Sequence, residues 1–186
     1  HEGAAEIMNS CGRSLIFGDK KTTDQYANNP AVQVHGPGFS KILIGEDAIE
    51  DWPDYIDLMV KSISENGGRS CINASAVVVP KYSQEIAVAL GRELGSITPV
   101  AVDDSSARLS GFANPKMADY IDAAIEQDLK VPGAVDVTAG YRDGERKVVV
   151  AGGTYLRPTI VRCDSFEHPL ANREFLCPYA SVVEVP

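Results

Sequence analysis

The run Ala76-Val77-Val78-Val79, closed by Pro80, constrains the fold more than any other stretch. Four consecutive apolar residues, three of them β-branched, leave no polar face for solvent. Such a strand belongs in a sheet covered on both sides. The flanking segments offer the covers. Trp52, Ile56, Met59, Val60 and Ile63 make one stripe along a helix over residues 51–65, which Asn66-Gly67-Gly68 stops. Downstream, Ser83 is placed to cap a second helix with Ile86, Leu90 and Leu94 on one face.

The rest of the chain alternates in the same way. Ala4, Ile7, Met8, Cys11 and Leu15 predict a helix over residues 1–15. Leu15-Ile16-Phe17 reads as a short buried strand ending at Gly18-Asp19, and residues 20–30 as polar and turn-rich. A strand at residues 31–34 runs into His35-Gly36-Pro37-Gly38, which must turn. Ile42-Leu43-Ile44 is a further strand. Asn114-Pro115 starts a helix carrying Met117, Ile121, Ala124 and Ile125, and residues 131–133 end it. Residues 135–138, 147–151, 159–161 and 181–185 read as strands, punctuated by Gly152-Gly153 and Arg157-Pro158. The expected class is α/β: a mainly parallel sheet with helices on both faces, in one compact domain over residues 1–186.

Charge and cysteine usage exclude several functions. The net charge of −9 argues against a nucleic-acid or anionic-membrane surface. No apolar run reaches the roughly 20 residues a spanning helix needs, and nothing at the start reads as a signal peptide. Cys11, Cys71, Cys163 and Cys177 are too scattered for a disulfide framework, and no Cys/His cluster suggests zinc. The expectation is a cytoplasmic domain with reduced thiols and no metal.

Cys71 is the sharpest chemical candidate. It follows a helix stop in the small, polar run of residues 66–75, where backbone N–H groups can surround a thiol. Arg69, two residues away, offers a positive charge that favours the thiolate. The competing reading is a buried, inert cysteine. His35, at a strand-to-turn boundary, is either a general base or a loop histidine. Paired with Cys71 it also suggests a cysteine hydrolase, for which no third orienting residue is evident. The glycines after His35 lack the spacing of a phosphate-binding motif. Glu174, beside a turn, either binds sugar hydroxyls or is a solvated charge.

Taken together, four blocks resemble the aldehyde dehydrogenase superfamily, in the right order and over nearly the whole chain. Ile16-Phe17-Gly18-Asp19 resembles the Phe-Thr-Gly-Ser block. Residues 34–41, leading to Ala48, resemble the Glu-Leu-Gly-Gly-Lys-Ser-Pro block. Residues 66–75 resemble the Gly-Gln-x-Cys block. Residues 152–159 with Glu174-Phe175-Leu176-Cys177-Pro178 resemble the Gly-Gly…Pro-Thr and Glu-x-Phe-Gly-Pro blocks.

The resemblance implies a catalytic domain in which Cys71 attacks an aldehyde or acyl carbonyl and its own amide helps hold the oxyanion. Hydride passes to NAD or NADP, leaving a thioester on Cys71. It implies that Gly18, Asp19, Glu174 and Leu176 line the cofactor, with Glu174 on the nicotinamide ribose. In an ungapped match His35 stands at the general-base Glu. That change resembles branches that use coenzyme A as acyl acceptor or that reduce an activated acyl group; a third reading is a non-catalytic domain. Arg69 stands for the usual Gln, and Leu176 and Cys177 for Phe and Gly, as in a divergent member. Residues 1–34 resemble the end of the cofactor-binding domain. The remainder of that domain and a C-terminal oligomerisation arm are expected in a longer protein, a homo-oligomer acting on a small aldehyde or acyl substrate. The chain alone is accordingly expected to bind NAD(P) poorly and to turn over little.

Overall fold

The computed structural model describes residues 2–18, 20–101 and 103–186, which fall into two units, His1–Gly38 and Phe39–Pro186. The first unit contains helix α1 (Glu2–Ser10), strand β1 (Ser14–Phe17), helix α2 (Lys20–Asp24) and strand β2 (Val32–His35). β1 and β2 run parallel, with Phe17 opposite His35. Two expectations change here. The strand at Leu15-Ile16-Phe17 forms but is not buried: Leu15 is 61 % and Phe17 71 % exposed. Two short strands and two short helices hold too little apolar mass to cover both faces. Residues 20–30, expected as polar and turn-rich, open with α2, which Thr23 anchors by its burial.

The second unit carries β3 (Lys41–Leu43), α3 (Ile56–Ser64), β4 (Ala76–Val79), α4 (Ser83–Gly95), α5 (Pro115–Asp128), β5 (Ala134–Asp136), β6 (Lys147–Val150), β7 (Gly153–Leu156), β8 (Thr159–Cys163) and β9 (Tyr179–Glu184). One sheet has the order β3-β4-β9-β8-β5, parallel throughout except for the antiparallel edge strand β5. Alternate residues of its central strands face opposite cores. Val77, Val79, Ile160, Ala180 and Val182 pack with Met59 and Ile63 of α3 and Ile86, Leu90 and Leu94 of α4. Val161, Cys163, Tyr179 and Val183 pack with Ala118, Ile121 and Ile125 of α5. The sheet thus carries α3 and α4 on one face and α5 on the other, and β4 sends Val77 and Val79 into the first of these cores.

Local chemistry moves several boundaries. Residues 51–65 are not one helix: a 3-10 segment (Ile49–Tyr55) containing Pro53 and a non-helical Asp51 precedes α3. Ser83 is not a cap but the first helical residue, after a left-handed Tyr82. The Glu184 carboxylate caps α4 instead, accepting from the Ser83 hydroxyl at 3.0 Å and the Ser83 amide at 3.3 Å. Asn114 caps α5 as expected, accepting from the Lys116 amide at 3.1 Å. β5 stops at Asp136, whose side chain caps a 3-10 turn (Val137–Gly140). Gly153, expected as punctuation, begins β7. The turn before it uses Ala151 and Gly152 with positive φ, the twist a two-residue hairpin needs.

Under β8, Asp136 is the hub of a buried charge network. One carboxylate oxygen accepts from Arg142 at 2.8 Å and Arg146 at 3.0 Å, all three side chains being under a tenth exposed. Arg146 also reaches Asp122 at 2.9 Å and the Thr159 hydroxyl at 3.1 Å. Burial alone would push the Asp136 carboxyl up. The Thr138 hydroxyl and the two guanidinium groups outweigh it and hold the carboxyl below its ordinary range.

Candidate functional site

The turn that carries Cys71 is built by one asparagine. Asn73 accepts the Ser70 amide at 2.8 Å and donates to the Ser62 carbonyl at 2.9 Å and the Glu65 carbonyl at 3.1 Å. The Asn73 amide closes the turn on the Ser70 carbonyl at 3.0 Å. Cys71 therefore sits at the crest of a turn pinned to the end of α3, and its side chain is exposed. Among the described residues the Cys71 amide donates to no partner, so it is available to a ligand oxygen. Replacing Asn73 with alanine is expected to cost about 1–2 kcal/mol, less than three separate bonds because water replaces some of them. Faster hydrogen exchange at the Ser70 amide checks the local effect, and unchanged exchange there would count against this account of the turn.

Three segments converge behind the turn. Gly67 and Gly68 both have positive φ. A Cβ on Gly67 would lie 2.6 Å from Ser110 Oγ, and one on Gly68 only 2.4 Å from the Pro178 nitrogen. At Gly68 backbone meets backbone directly, and at Gly67 the Ser110 hydroxyl and amide leave no room for a Cβ, so both positions need glycine. From the other side, the Ser40 hydroxyl donates to the Cys71 carbonyl at 3.0 Å. The Ser40 carbonyl accepts from the Ser75 amide at 2.8 Å.

Glu174 belongs to this cluster. Its carboxylate accepts the backbone amide of Phe39, itself at positive φ. The Lys41 ammonium donates to Ser75 Oγ at 2.8 Å and to the Phe39 carbonyl at 3.1 Å. Burial pulls the Lys41 ammonium down, and the nearby Glu174 carboxylate opposes the shift. Leu176 is 44 % exposed and offers an apolar surface two residues beyond that carboxylate. The second unit therefore links the Cys71 turn to Glu174 through the adjacent residues Ser40 and Phe39. Asn73, Ser40 and Lys41 were not singled out from sequence. Only the position of an asparagine three residues after Ser70, suited to an Asx-type bond, could have signalled one of them.

Arg69 does not take the role expected of it. Its guanidinium donates to the Ser110 and Gly111 carbonyls, each at 3.1 Å, and stacks 3.9 Å from the Phe112 ring centre. Burial lowers its pKa, and the thiol whose charge it feels is Cys177. Cys177 and Cys163 are buried, and burial pushes both thiols up to about 12, so both are neutral at pH 7. That leaves Cys11 and Cys71 as the exposed thiols.

His35 and Gly18 lie in the first unit. The His35 ring stacks on Phe17 with centroids 4.6 Å apart and 16° between planes, a contact set by the β1–β2 register. Its Nε2 is buried with no partner among the described residues, and its carbonyl accepts the Gly18 amide at 3.1 Å. Asp19 lies outside the described residues. Among the described residues no His, Cys, Asp and Glu side chains gather as a metal site, and no helix is long and apolar enough to cross a membrane.

Comparison with known proteins follows the same residues. A family model described as the aldehyde dehydrogenase family matches residues 17–186. No curated protein sequence matches the chain. The NAD+ complex of an aldehyde dehydrogenase from Bacillus cereus is 22 % identical with a TM-score of 0.79, over 97 % of this chain and 37 % of that one. The aldehyde dehydrogenase KauB from Pseudomonas aeruginosa is 19 % identical, TM-score 0.77, over 97 % and 37 %. A variant of aldehyde dehydrogenase C from Pseudomonas syringae, solved with NAD+ and octanal, is 20 % identical, TM-score 0.76, over 94 % and 36 %. At such identities the likeness speaks to the fold, and the chain spans little more than a third of each structure.

Proposed function

The chain belongs to the aldehyde dehydrogenase family, and from that premise we propose that it carries the nucleophile for NAD(P)-dependent oxidation of an aldehyde. The observation that carries this reading is Cys71: an exposed thiol on a pinned turn, beside its own undonated amide. The Cys71 sulfur attacks the aldehyde carbon, forming a C–S bond and a tetrahedral oxyanion. The Cys71 amide points a donor where that charge develops. The thiol proton passes to solvent as the C–S bond forms, and loss of hydride from the oxyanion then oxidises the adduct to a thioester on Cys71. When bound, the nicotinamide supplies the acceptor for that hydride.

The residues present fit such a cofactor. The Glu174 carboxylate, held at the Phe39 amide, is an acceptor of the kind that binds ribose hydroxyls, and Leu176 offers an apolar platform. Gly18 and Asp19 are assigned to the cofactor by family resemblance, and residues 1–34 to the end of the cofactor-binding domain. His35, whose Nε2 has no partner among the described residues, is proposed to activate the water that hydrolyses the thioester. Its imidazole in place of a carboxylate also favours a second reading, transfer of the acyl group to coenzyme A. The NAD+ and octanal bound by the Pseudomonas syringae enzyme support the nicotinamide and aldehyde assignments by family likeness.

Iodoacetamide labelling tests the nucleophile. Cys71 is expected to react much faster than Cys11, which shares its exposure but has no built turn; mass spectrometry assigns the label. Equal rates would favour the reading of a non-catalytic domain. Adding coenzyme A to a turning-over enzyme separates the other two readings: free acid supports hydrolysis through His35, and an acyl thioester supports transfer.

A further inference from the structure

Segment 110–112 is a fixed shelf beneath the nucleophile turn. The Phe112 amide donates to the Thr154 carbonyl of β7 at 2.8 Å, and the Phe112 ring is buried in the core. Gly67 presses on Ser110, where a Cβ would come within 2.9 Å of the Ser110 nitrogen. Arg69 spans the remaining distance. Both of its carbonyl contacts use one nitrogen, Nη2, while the guanidinium carbon lies over the Phe112 ring, 3.9 Å from its centre. The group is thus fixed by two bonds and a stack at once, a combination that a planar guanidinium makes and an ammonium does not. Asn73 holds the other side of the turn, through the Ser70 amide that follows Arg69. The Cys71 amide and thiol lie between these two anchors.

We propose that Arg69 is a positioning residue: it clamps the Cys71 turn to the 110–112 shelf and so sets the direction of the Cys71 amide. It does not serve as the charge that ionises the thiol. The inference rests on the reading of Cys71 as nucleophile, and it assigns Arg69 a role its sequence neighbourhood did not suggest. The position two residues before the nucleophile then works through geometry, with its charge spent on two main-chain carbonyls 41 and 42 residues away.

Two probes of the same thiol separate geometry from charge. Iodoacetamide is displaced at an sp3 carbon: a C–S bond forms, iodide leaves, and no oxyanion appears. p-Nitrophenyl acetate is attacked at a carbonyl: a C–S bond forms through an oxyanion, p-nitrophenolate leaves with the C–O electron pair, and the thiol proton goes to solvent. Both rates are measured against pH for the wild-type chain, Arg69→Lys, Arg69→Gln and Phe112→Leu, with the labelled cysteine identified by mass spectrometry. Loss of an aimed oxyanion donor weakens only the second reaction. In all three variants acylation of Cys71 is expected to fall about tenfold or more, alkylation to change little, and the midpoint of the pH profile to stay put. Phe112→Leu keeps both charge and hydrogen bonds, so its agreement with Arg69→Lys would isolate the clamp.

A different pattern overturns the inference. If Arg69→Lys matches the wild type while Arg69→Gln loses both reactions with a shifted pH midpoint, Arg69 acts by charge. If all variants acylate like the wild type, Arg69 positions nothing. If wild-type Cys71 is inert to both probes, the nucleophile reading fails and this inference fails with it. A general loss of fold would appear as equal losses with both probes and a lowered Tm, and would assign Arg69 a structural role alone.

Discussion

Replacing Asp136 with alanine is expected to destabilise the second unit by about 3–5 kcal/mol, because it strands the buried Arg142 and takes from Arg146 its most buried carboxylate partner. Arg142 and Arg146 are each about 5 % exposed and share one oxygen of this carboxylate. Neither gains water when it is removed. Asp122→Ala is the internal comparison. It removes another partner of Arg146, but its side chain is 25 % exposed and Arg146 keeps Asp136 and Glu126. A loss of about 1 kcal/mol or less is expected there. Urea unfolding midpoints with unchanged slopes measure both. Equal losses for the two variants would show that the hub is not Asp136.

The same network predicts a pH dependence. Because the native Asp136 carboxyl is held below its ordinary range, its contribution is fully present above the unfolded value near about 4. It is lost as pH falls through the lower folded value, where the native state must take up a proton it resists. Asp136→Asn should flatten the stability–pH curve in that acid window: the variant is less stable than the wild type near neutrality and converges on it as pH falls below the folded value. A wild-type curve as flat as the variant's would contradict the assignment.

What could be read from sequence was whatever depends on near neighbours. The Ala76-Val77-Val78-Val79 run announced a buried strand, and Asn114-Pro115 announced a helix start, because each signal is complete within a few residues. Cys71 was legible as the crest of a turn for the same reason. The errors came where distant partners decide. Ser83 read as a cap, yet a carboxylate 101 residues away caps its helix. Arg69 read as a neighbour of Cys71, yet its guanidinium is drawn to main-chain carbonyls more than 40 residues on. Lys41 read as part of a block, and only folding places it beside Ser75 and near Glu174. Leu15 and Phe17 read as core because they are apolar, but the first unit has too little mass to enclose them.

Gly68→Ala is expected to be the most damaging single-methyl change in the chain. Two costs add. The residue has φ +66°, a left-handed conformation that costs an L side chain about 1–2 kcal/mol. The new Cβ would also lie 2.4 Å from the Pro178 nitrogen and 2.5 Å from the Cys177 carbonyl carbon, both main-chain atoms. Neither can rotate away, as the Pro178 carbonyl is tied to the Thr159 amide at 2.9 Å. Thr159 in turn accepts from Arg146 of the charge network. Relief has to come from the turn side, which carries Cys71 away from Glu174 and the 110–112 shelf. The variant should unfold at clearly lower urea and, where still folded, lose the faster labelling of Cys71 over Cys11. Gly140→Ala is the control: its Cβ meets nothing within 4 Å, so stability and labelling should match the wild type. If Gly68→Ala retains both stability and Cys71 reactivity, the turn is not pressed against Pro178, and the cluster of three segments is not what orients the thiol.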